Sequence, residues 1–297
     1  MGLTMKQPAR RKAALRNNLE AYTFMAPYVI GVLAFFLFPL IFSLVISFGD
    51  YRTVHGGNTL EFVGLKNYID LFVEDATYSG AFLTGIKTTL INTPLIVIFS
   101  LIIAVVLNKK MIAQGFFRTV FFLPFLLGTG YVMKQLLGVG AVDQAMTMAR
   151  SIVLPAEVSG YLGADLTGLL TAFLSQITWV FWRSGVQVIL FLAGLQSINK
   201  SLYESARVES ATEWEVFWKI TIPMITPMML LIIVYTIIDS FTDPTNPIGE
   251  MFMHRAFDKT EYSLSAAMSW VYFLFIILLV GIVFLVMKRF IHSEFDK

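Results

Sequence analysis

Charged side chains are scarce in this chain of 297 residues, so the places where they gather indicate where recognition or chemistry occurs. Only 14% of the residues are charged, whereas 57% are hydrophobic. The stretch "YESARVESATEWEVFWKITIP" (203–223) concentrates carboxylates, and Arg183 is the only charge in the apolar run 166–198. Carboxylates on a polar helix suit binding to a protein partner. A guanidinium in an apolar run suits pairing with a carboxylate or contact with a polar ligand.

The side chains that enzymatic chemistry needs are missing or dispersed. The chain has no cysteine, and its three histidines, His55, His254 and His292, are scattered along the sequence. The stretch "GAFLTGIKT" (80–88) approaches a phosphate-binding loop, but Ile86 separates the glycine from the lysine, which must be adjacent. No serine-hydrolase or zinc-protease motif is present. We therefore expect no catalytic residue, no metal site and no cofactor in this chain.

Long apolar stretches predict an all-α, polytopic protein of the cell membrane. The mean hydropathy is +0.72, and several stretches exceed the roughly 18 apolar residues that indicate a membrane-spanning helix. We predict six transmembrane helices, at about residues 22–48, 83–107, 117–138, 167–193, 221–243 and 264–287. The run 166–198 is too long for one straight span, so we expect it to bend.

Lysine and arginine fall mainly on one side of these spans. Six spans place both termini on the same side, and the segments on that side carry 14 of the Lys and Arg residues against 5 on the other. The positive-inside rule therefore predicts that both termini are cytoplasmic. The chain divides into a basic cytoplasmic N-terminal segment, 1–21, and a transmembrane domain, 22–297. The loop 195–222 of this domain is cytoplasmic, and the acidic loop 49–80 faces outward.

The polar loop 195–222 has the pattern of a short helix. Asn199 or Ser201 can cap its start. The charged pairs with helical spacing are Glu204 with Arg207 and Glu215 with Lys219. An apolar edge is expected from Leu202, Tyr203, Ala206 and Trp214. One interpretation is a surface helix lying on lipid headgroups. Such helices usually carry Lys and Arg, whereas this one is acidic, which favours a protein partner.

The same stretch resembles the cytoplasmic EAA loop of binding-protein-dependent ABC importer permeases, E-A-A-x3-G-x9-I-x-L-P. The residues that match at the family's spacing are Glu204, Ala206, Ile220 and Pro223. The residues that differ are Ser205, Ser210 and Ile222, where the family has Ala, Gly and Leu. The family's glycine lies at a turn between two short helices. A serine forced into the left-handed conformation there costs about 1 kcal/mol.

Further stretches extend this resemblance over nearly the whole chain. Those similar to carbohydrate-uptake permeases, above all permeases for oligosaccharides, are "FVGLKNYIDLF" (62–72), "FFRTVFFLPFLLG" (116–128) and "LAGLQSINKSLYESA" (192–206). The resemblance implies the six-helix core of a type I ABC importer, as half of a heterodimer with a second permease subunit. It also implies a sugar substrate, an extracytoplasmic substrate-binding protein and an ATPase dimer that binds ATP and Mg. No nucleic acid is implied.

In this family the polar loop is a coupling helix that docks in a groove of the ATPase. The resemblance assigns that contact to Tyr203, Glu204, Ser205, Ala206, Glu209, Ser210 and Ala211.

Two interpretations of Arg183 stay open. Counted from the cytoplasmic ends of their spans, Arg183 lies about 18 Å and Asp239 about 24 Å into the membrane, so the two can pair. In the structural interpretation this pair locks two helices together. In the functional interpretation Arg183 lines a path for sugar, and its guanidinium suits an acidic sugar. The path residues would be Gln176, Trp179, Trp182, Arg183, Gln187 and Asp239.

Two other functions are compatible with a polytopic helical chain. A self-contained secondary transporter would work without an ATPase, although the sequence shows no internal repeat of the kind that many such transporters carry. A membrane scaffold subunit would have no path for a substrate. Transport that needs no ATPase would favour the first function. A purified complex that never alters substrate flux would favour the second.

Overall fold

Helices make up most of the part of the chain that the structure describes. The structure is a computed structural model, and it describes residues 22–54, 57–109, 115–116, 119–120, 156–243 and 246–295. Within these residues four helices are long and apolar enough to cross a membrane. A bent pair of helices makes a fifth span if the pair is counted as one.

The described elements follow one another from the first predicted span to the last. They are α1 (Tyr22–Ser47), β1 (Gly49–Val54), β2 (Gly57–Phe62), α2 (Lys66–Val73), α3 (Ala76–Asn108), α4 (Ala156–Arg183), α5 (Gly185–Ser197), α6 (Lys200–Val208), α7 (Glu213–Phe241), α8 (Pro247–Phe257) and α9 (Tyr262–Phe295). Helix α4 is interrupted near its start at Gly163, where φ is +76°.

The described residues are mostly helical, as predicted, and they also contain one β-hairpin that the prediction of an all-α fold did not include. Strands β1 and β2 pair antiparallel, with Gly49 opposite Phe62 and Val54 opposite Gly57. Every side chain of β2 is exposed, so the hairpin lacks the alternation of buried and exposed residues by which a strand is recognised in a sequence. The hairpin is the only sheet within the described residues.

The predicted spans compare with the helices as follows. Four of them coincide with parts of α1, α3, α7 and α9, although the predictions 22–48 and 221–243 end one and two residues past α1 and α7. The span predicted at 167–193 is broken, because α4 and α5 meet at Ser184 with a bend of 60°. The expected bend is therefore present, and it comes directly after Arg183. The span predicted at 117–138 lies outside the described residues, apart from residues 119 and 120.

Two helices widen just before a proline. Helix α1 has a π-helical stretch at Leu33–Leu37 before Pro39, and α7 has one at Phe217–Thr221 before Pro223. A proline inside a helix lacks the N–H donor, and its ring clashes with the carbonyl four residues earlier. A wider turn at that point relieves the clash without ending the helix.

The described residues fall into two compact units. Unit 1 is defined by the ranges 1–78 and 251–272, and unit 2 by the ranges 79–250 and 273–297. In unit 1, polar contacts hold the end of α1 to α2. The Asn67 amide donates to the carbonyl oxygens of Ser47 and Gly49 at 2.9 and 2.8 Å.

The core of unit 2 is apolar and is formed by α3, α5 and α7. Its buried side chains are Val97, Ala104, Leu107, Val188, Phe191, Leu192, Leu195, Ile198, Ile225 and Ile232. Gly194 allows α5 to approach α7 closely, since a Cβ atom there would lie 3.1 Å from Met228 Cγ. Small residues at such contacts let membrane helices pack backbone against backbone.

A left-handed turn ends α6, as the resemblance led us to expect. Asn199 caps the start of the helix. At its other end Ser210 has φ of +59°. The Ala211 N–H donates to the Ala206 carbonyl oxygen at 3.0 Å, and the Ser210 N–H donates to the Arg207 carbonyl oxygen at 3.1 Å. This is the Schellman arrangement, in which the left-handed position is usually glycine. Ser210 forms the same turn, but its left-handed backbone conformation is strained.

We predict that Ser210→Gly stabilises this turn. Removing about 1 kcal/mol of left-handed strain should slow hydrogen exchange at the Ala211 amide about fivefold. Ser205→Gly is the matched control, because glycine inside α6 should instead speed exchange. Hydrogen-exchange mass spectrometry on the purified chain in detergent measures both variants. Unchanged exchange in Ser210→Gly would show that the serine carries no strain.

Candidate functional site

An ionic cluster joins α4 to α7 in unit 2. Arg183, the last residue of α4, donates through Nη2 to Asp239 Oδ2 at 2.8 Å and through Nη1 to the Asp243 carboxylate. Its Nη2 also lies 3.2 Å from the Asp239 carbonyl oxygen. The pairing of Arg183 with Asp239 that their depths allow is therefore present. Asp243, four residues farther along, completes the cluster.

The cluster is largely withdrawn from solvent. Side-chain exposure is 18% for Arg183, 33% for Asp239 and 12% for Asp243. The guanidinium carbon lies 5.8 Å from the centre of the Trp179 ring, within the range of a cation–π contact. The Arg183 Nε is buried without a hydrogen-bond partner. Removing either side of such a sheltered pair leaves an uncompensated charge, which costs several kcal/mol.

A polar cavity of about 310 Å³ in unit 2, called the unit 2 cavity below, includes Asp243 in its wall. Its lining residues are Thr84, Gly85, Thr88, Thr89, Asn92, Gln176, Trp179, Ser240, Asp243, Asn246 and Pro247. The Gln176 Nε2 donates to Asn92 Oδ1 at 2.9 Å, and the hydroxyls of Thr89 and Ser240 are 3.0 Å apart. Hydroxyl and amide groups around one aromatic ring can bind a ligand that carries many hydroxyl groups.

The predicted path residues are only partly brought together at this cavity. Gln176 and Trp179 line it. Arg183 and Asp239 do not line it, but Arg183 contacts Asp243, which does.

Trp182 and Gln187 are placed differently from the other path residues. Neither belongs to the lining of the unit 2 cavity. Gln187 is fully buried, with its Nε2 3.3 Å from Thr236 Oγ1 and its Oε1 unpartnered. The Trp182 indole nitrogen is also buried without a partner. Gln187 therefore lies inside the protein beside the bend at Ser184, whereas Trp182 is half-buried there, with only its indole nitrogen enclosed.

The surface of α6 is polar and open. Glu204, Ser205, Glu209 and Ser210 are exposed, and Ala211 is half-buried. The predicted apolar edge is corrected in part. Tyr203 and Ala206 turn inward, with Ala206 buried and the Tyr203 hydroxyl 3.2 Å from Thr221 Oγ1. Leu202 and Trp214 remain exposed.

Sequence reasoning missed a capping box at the start of α7. The Thr212 Oγ1 accepts from the Glu215 N–H at 3.3 Å, and the Thr212 N–H donates to Glu215 Oε2 at 3.0 Å. The T-x-x-E spacing is the signal that marks it. The predicted pair between Glu215 and Lys219 is present, at 3.4 Å.

Sequence reasoning also missed the polar face that α3 gives to the cavity. Thr84, Thr88 and Asn92 are spaced four residues apart, and this spacing places side chains on one helix face. Asp243 follows Asp239 by four residues, about one helical turn, and this spacing lets both carboxylates reach the same arginine.

A second polar crevice belongs to unit 1 and has a volume of about 710 Å³. In its wall Arg255 contacts Asp75 and donates to Glu261 Oε2 at 2.9 Å. The hydrogen bond from Arg52 to Asp50 raises the pKa of the Arg52 guanidinium, a group that is protonated at physiological pH in any case. Within the described residues no three His, Cys, Asp or Glu side chains gather in a way that could hold a metal ion.

Curated permease proteins are similar to this chain over most of its length, although no protein-family model matches it. The chain is 27% identical over 305 residues to the probable ABC transporter permease protein YesP of Bacillus subtilis (strain 168), covering 96% of both. It is 29% identical over 243 residues to the arabinooligosaccharides transport system permease protein AraP of the same organism, covering 80% of this chain and 73% of AraP. The lactose transport system permease protein LacF of Rhizobium radiobacter is 29% identical over 238 residues, covering 79% and 73%.

Solved structures share the fold. A chain in the crystal structure of a bacterial ABC transporter involved in the import of the acidic polysaccharide alginate matches with a TM-score of 0.64 and 18% identity, covering 94% of this chain and 99% of that one. A chain in a bacterial alginate ABC transporter in complex with an alginate pentasaccharide-bound periplasmic protein matches with a TM-score of 0.65. The resemblance drawn from the sequence is therefore confirmed: the curated relatives of this chain are permease proteins of sugar ABC transporters, and its fold is that of a chain in an ABC importer.

Proposed function

We propose that the chain is the transmembrane permease subunit of an ATP-driven importer of sugars or oligosaccharides. It couples ATP hydrolysis by a separate ATPase to alternating access, and it holds no cofactor itself. The observation that carries this proposal is the surface of α6. Glu204 and Glu209 are exposed on a short helix whose Ala206 is buried. An acidic helix anchored from one side and open on the other suits docking into a protein groove.

The contacts of α6 give a physical path from an ATPase to the spans. Tyr203 packs against the apolar core of unit 2, and its hydroxyl meets Thr221 at the widened turn of α7. Helix α7 then runs without a break to Asp239 and the ionic cluster. A displacement of α6 would therefore move α7 as a rigid element and reach the unit 2 cavity.

The proposal requires other subunits. One chain offers one coupling segment, whereas a dimer of ATPases has two docking grooves. A second permease subunit therefore supplies the second segment, and a substrate-binding protein delivers the sugar from outside the cell membrane. The alginate transporter whose fold is similar is described with such a periplasmic protein.

A carbohydrate substrate is supported by two independent observations. AraP and LacF are named for arabinooligosaccharides and lactose. The unit 2 cavity is lined by threonine, serine, asparagine and glutamine side chains and by Trp179. These groups can both donate and accept hydrogen bonds, as sugar hydroxyls require. We assign Gln176 and Trp179 to the sugar path, and we assign Arg183 and Asp239 to its structural support.

The proposed topology has six spans with both termini in the cytoplasm. Because the chain has no cysteine, single cysteines report their side of the membrane without interference. A membrane-impermeant maleimide should label Asn58→Cys in intact cells, and it should label Lys297→Cys only after permeabilisation. Labelling of both positions under the same condition would place residues 58 and 297 on the same side of the membrane. That result would contradict an even number of spans.

We predict that Glu204→Lys uncouples transport. Reversing a charge at the proposed docking surface removes a charge-assisted contact worth about 1.5–3 kcal/mol, so ATPase binding should weaken at least tenfold. Uptake and substrate-stimulated ATPase activity should fall together, while the spans stay inserted.

The matched control for this variant is Glu61→Lys, which makes the same charge change on the exposed strand β2. It should leave ATPase binding within twofold of wild type. Binding and uptake at wild-type levels in Glu204→Lys would remove the coupling role of α6.

We predict that Arg183→Ala lowers the yield of assembled protein, because it leaves two sheltered carboxylates uncompensated. The charge swap Arg183→Asp with Asp239→Arg should restore assembly and most of the uptake, since an ion pair is roughly symmetric in sign. Assembly is measured by size-exclusion chromatography, and uptake is measured in reconstituted vesicles. A swap that restores assembly without uptake would instead place Arg183 in contact with substrate.

A further inference from the structure

Two exposed tryptophans mark the first turns of α7. Trp214 and Trp218 are 69% and 51% exposed, and their spacing of four residues places them on one face of the helix. Their ring centres are 5.5 Å apart, and the Phe217 ring lies 6.5 and 5.2 Å from them. Large aromatic side chains that are exposed together in this way mark a surface that another molecule covers.

The start of α7 lies beside the end of a membrane span. Helix α3 is long and apolar enough to cross a membrane, and it ends at Asn108. Lys109 comes directly after it, and the Lys109 Nζ lies 3.5 Å from Glu213 Oε2 at the first residue of α7. A span ends where the hydrocarbon core meets the polar headgroups. The ion pair therefore places the first turn of α7, and Trp214 with it, near this boundary.

The length of α7 indicates the same depth. Its 29 residues from Glu213 to Phe241 measure about 43 Å at a rise of about 1.5 Å per residue. This length matches a bilayer with its headgroup layers, about 40–45 Å, rather than the hydrocarbon core of about 30 Å. Each end of a centred helix therefore extends about 6 Å beyond the core. Trp214 then lies among the headgroups, and Trp218 lies where they meet the hydrocarbon.

We propose that Trp214 and Trp218 bind the headgroup layer of the membrane and hold the start of α7 at a fixed depth. Tryptophan suits this layer because its ring is apolar, whereas its indole N–H can donate to the oxygen atoms of a phospholipid. The inference goes beyond the proposed function, whose topology it uses only to name the leaflet as the cytoplasmic one.

The charges beside the two tryptophans suit a zwitterionic phospholipid. Glu213 pairs with Lys109, and Glu215 pairs with Lys219 at 3.4 Å. Each of these carboxylates therefore has a lysine close by, which weakens its repulsion of a lipid phosphate. The lysines can in turn contact that phosphate, as basic side chains at the ends of spans do.

An anchored start would determine how α7 responds to α6. The Tyr203 hydroxyl of α6 lies 3.2 Å from Thr221 Oγ1, three residues beyond Trp218. A push from α6 would therefore reach α7 close to its anchored end. Because two rings held among the headgroups resist a change of depth, α7 would tilt about this end instead of sliding along its axis.

The depth of the rings can be measured by fluorescence quenching. The purified full chain is placed in nanodiscs of phosphatidylcholine that carries bromine at carbons 6 and 7, or at carbons 11 and 12, of one acyl chain. The chain has five tryptophans, so the signal of the pair is the difference between wild type and the double variant Trp214→Phe with Trp218→Phe. We expect the shallower bromine atoms to quench this difference at least twofold more than the deeper ones.

Two results of this measurement would overturn the proposal. Equal or stronger quenching by the deeper bromine atoms would place the pair in the hydrocarbon core. A difference signal that aqueous iodide quenches and that neither brominated lipid quenches would indicate a protein partner for this surface. Either result leaves the permease function standing, since ATPase binding by α6 is decided separately by Glu204→Lys.

Hydrogen exchange tests whether the pair anchors α7. Trp214→Ala with Trp218→Ala removes both rings, and alanine has the highest helix propensity, so a loss of propensity cannot speed exchange. In nanodiscs of phosphatidylcholine the amides of residues 217–221 should exchange at least threefold faster than in wild type. The control Val208→Ala shortens a side chain of α6 that is 86% exposed, and it should leave these rates within twofold. Unchanged exchange in the double variant would overturn the anchor.

Discussion

The pairing of Arg183 with Asp239 and Asp243 is the interaction on which the arrangement of unit 2 depends. A lone guanidinium in a membrane span is costly, and it is tolerated where carboxylates or water meet it. Arg183 is the last residue of α4, and the chain bends by 60° directly after it. Because Asp239 lies in the last turn of α7 and Asp243 just beyond it, pairing with the arginine fixes α4 against α7 at the bend. The unit 2 cavity is then bounded by α3, α4 and the residues that follow α7.

The same helices connect this cluster to the surface of α6. Phe191 and Ile232 are fully buried in the core of unit 2, and Gly194 brings α5 close to Met228 on α7. Close packing of this kind would transmit a displacement of α6 to α7, as the proposed function requires. At the other end of α7 the widened turn at Phe217–Thr221 lets the helix continue past Pro223. A single continuous helix therefore extends from the turn that follows α6 to the ionic cluster.

The sequence predicts those features that depend on regular geometry. The length of the apolar stretches predicts the spans. The constant rise per residue of a helix predicts that Arg183 and Asp239 lie at similar depths in the membrane. The match to the EAA motif predicts the turn at Ser210, because the family has a glycine at a turn in this position. The turn needs a residue in the left-handed conformation, and here a serine adopts it. Features set by tertiary contact escape such reasoning. The position of the bend at Ser184 and the exposed strand β2 carry no periodic signal in the sequence.

The second aspartate connects the ionic cluster to the wall of the unit 2 cavity. Asp239 holds Arg183 against the last turn of α7, and Asp243 extends the contact to the residues that follow this helix. Asp243 is the more sheltered of the two carboxylates and is also the one that lines the cavity. Because one guanidinium contacts both carboxylates, a shift of α4 against α7 would have to break or carry along the cavity wall at Asp243. The ion pairs that stabilise the packing of α4 on α7 therefore also fix the position of part of the cavity wall.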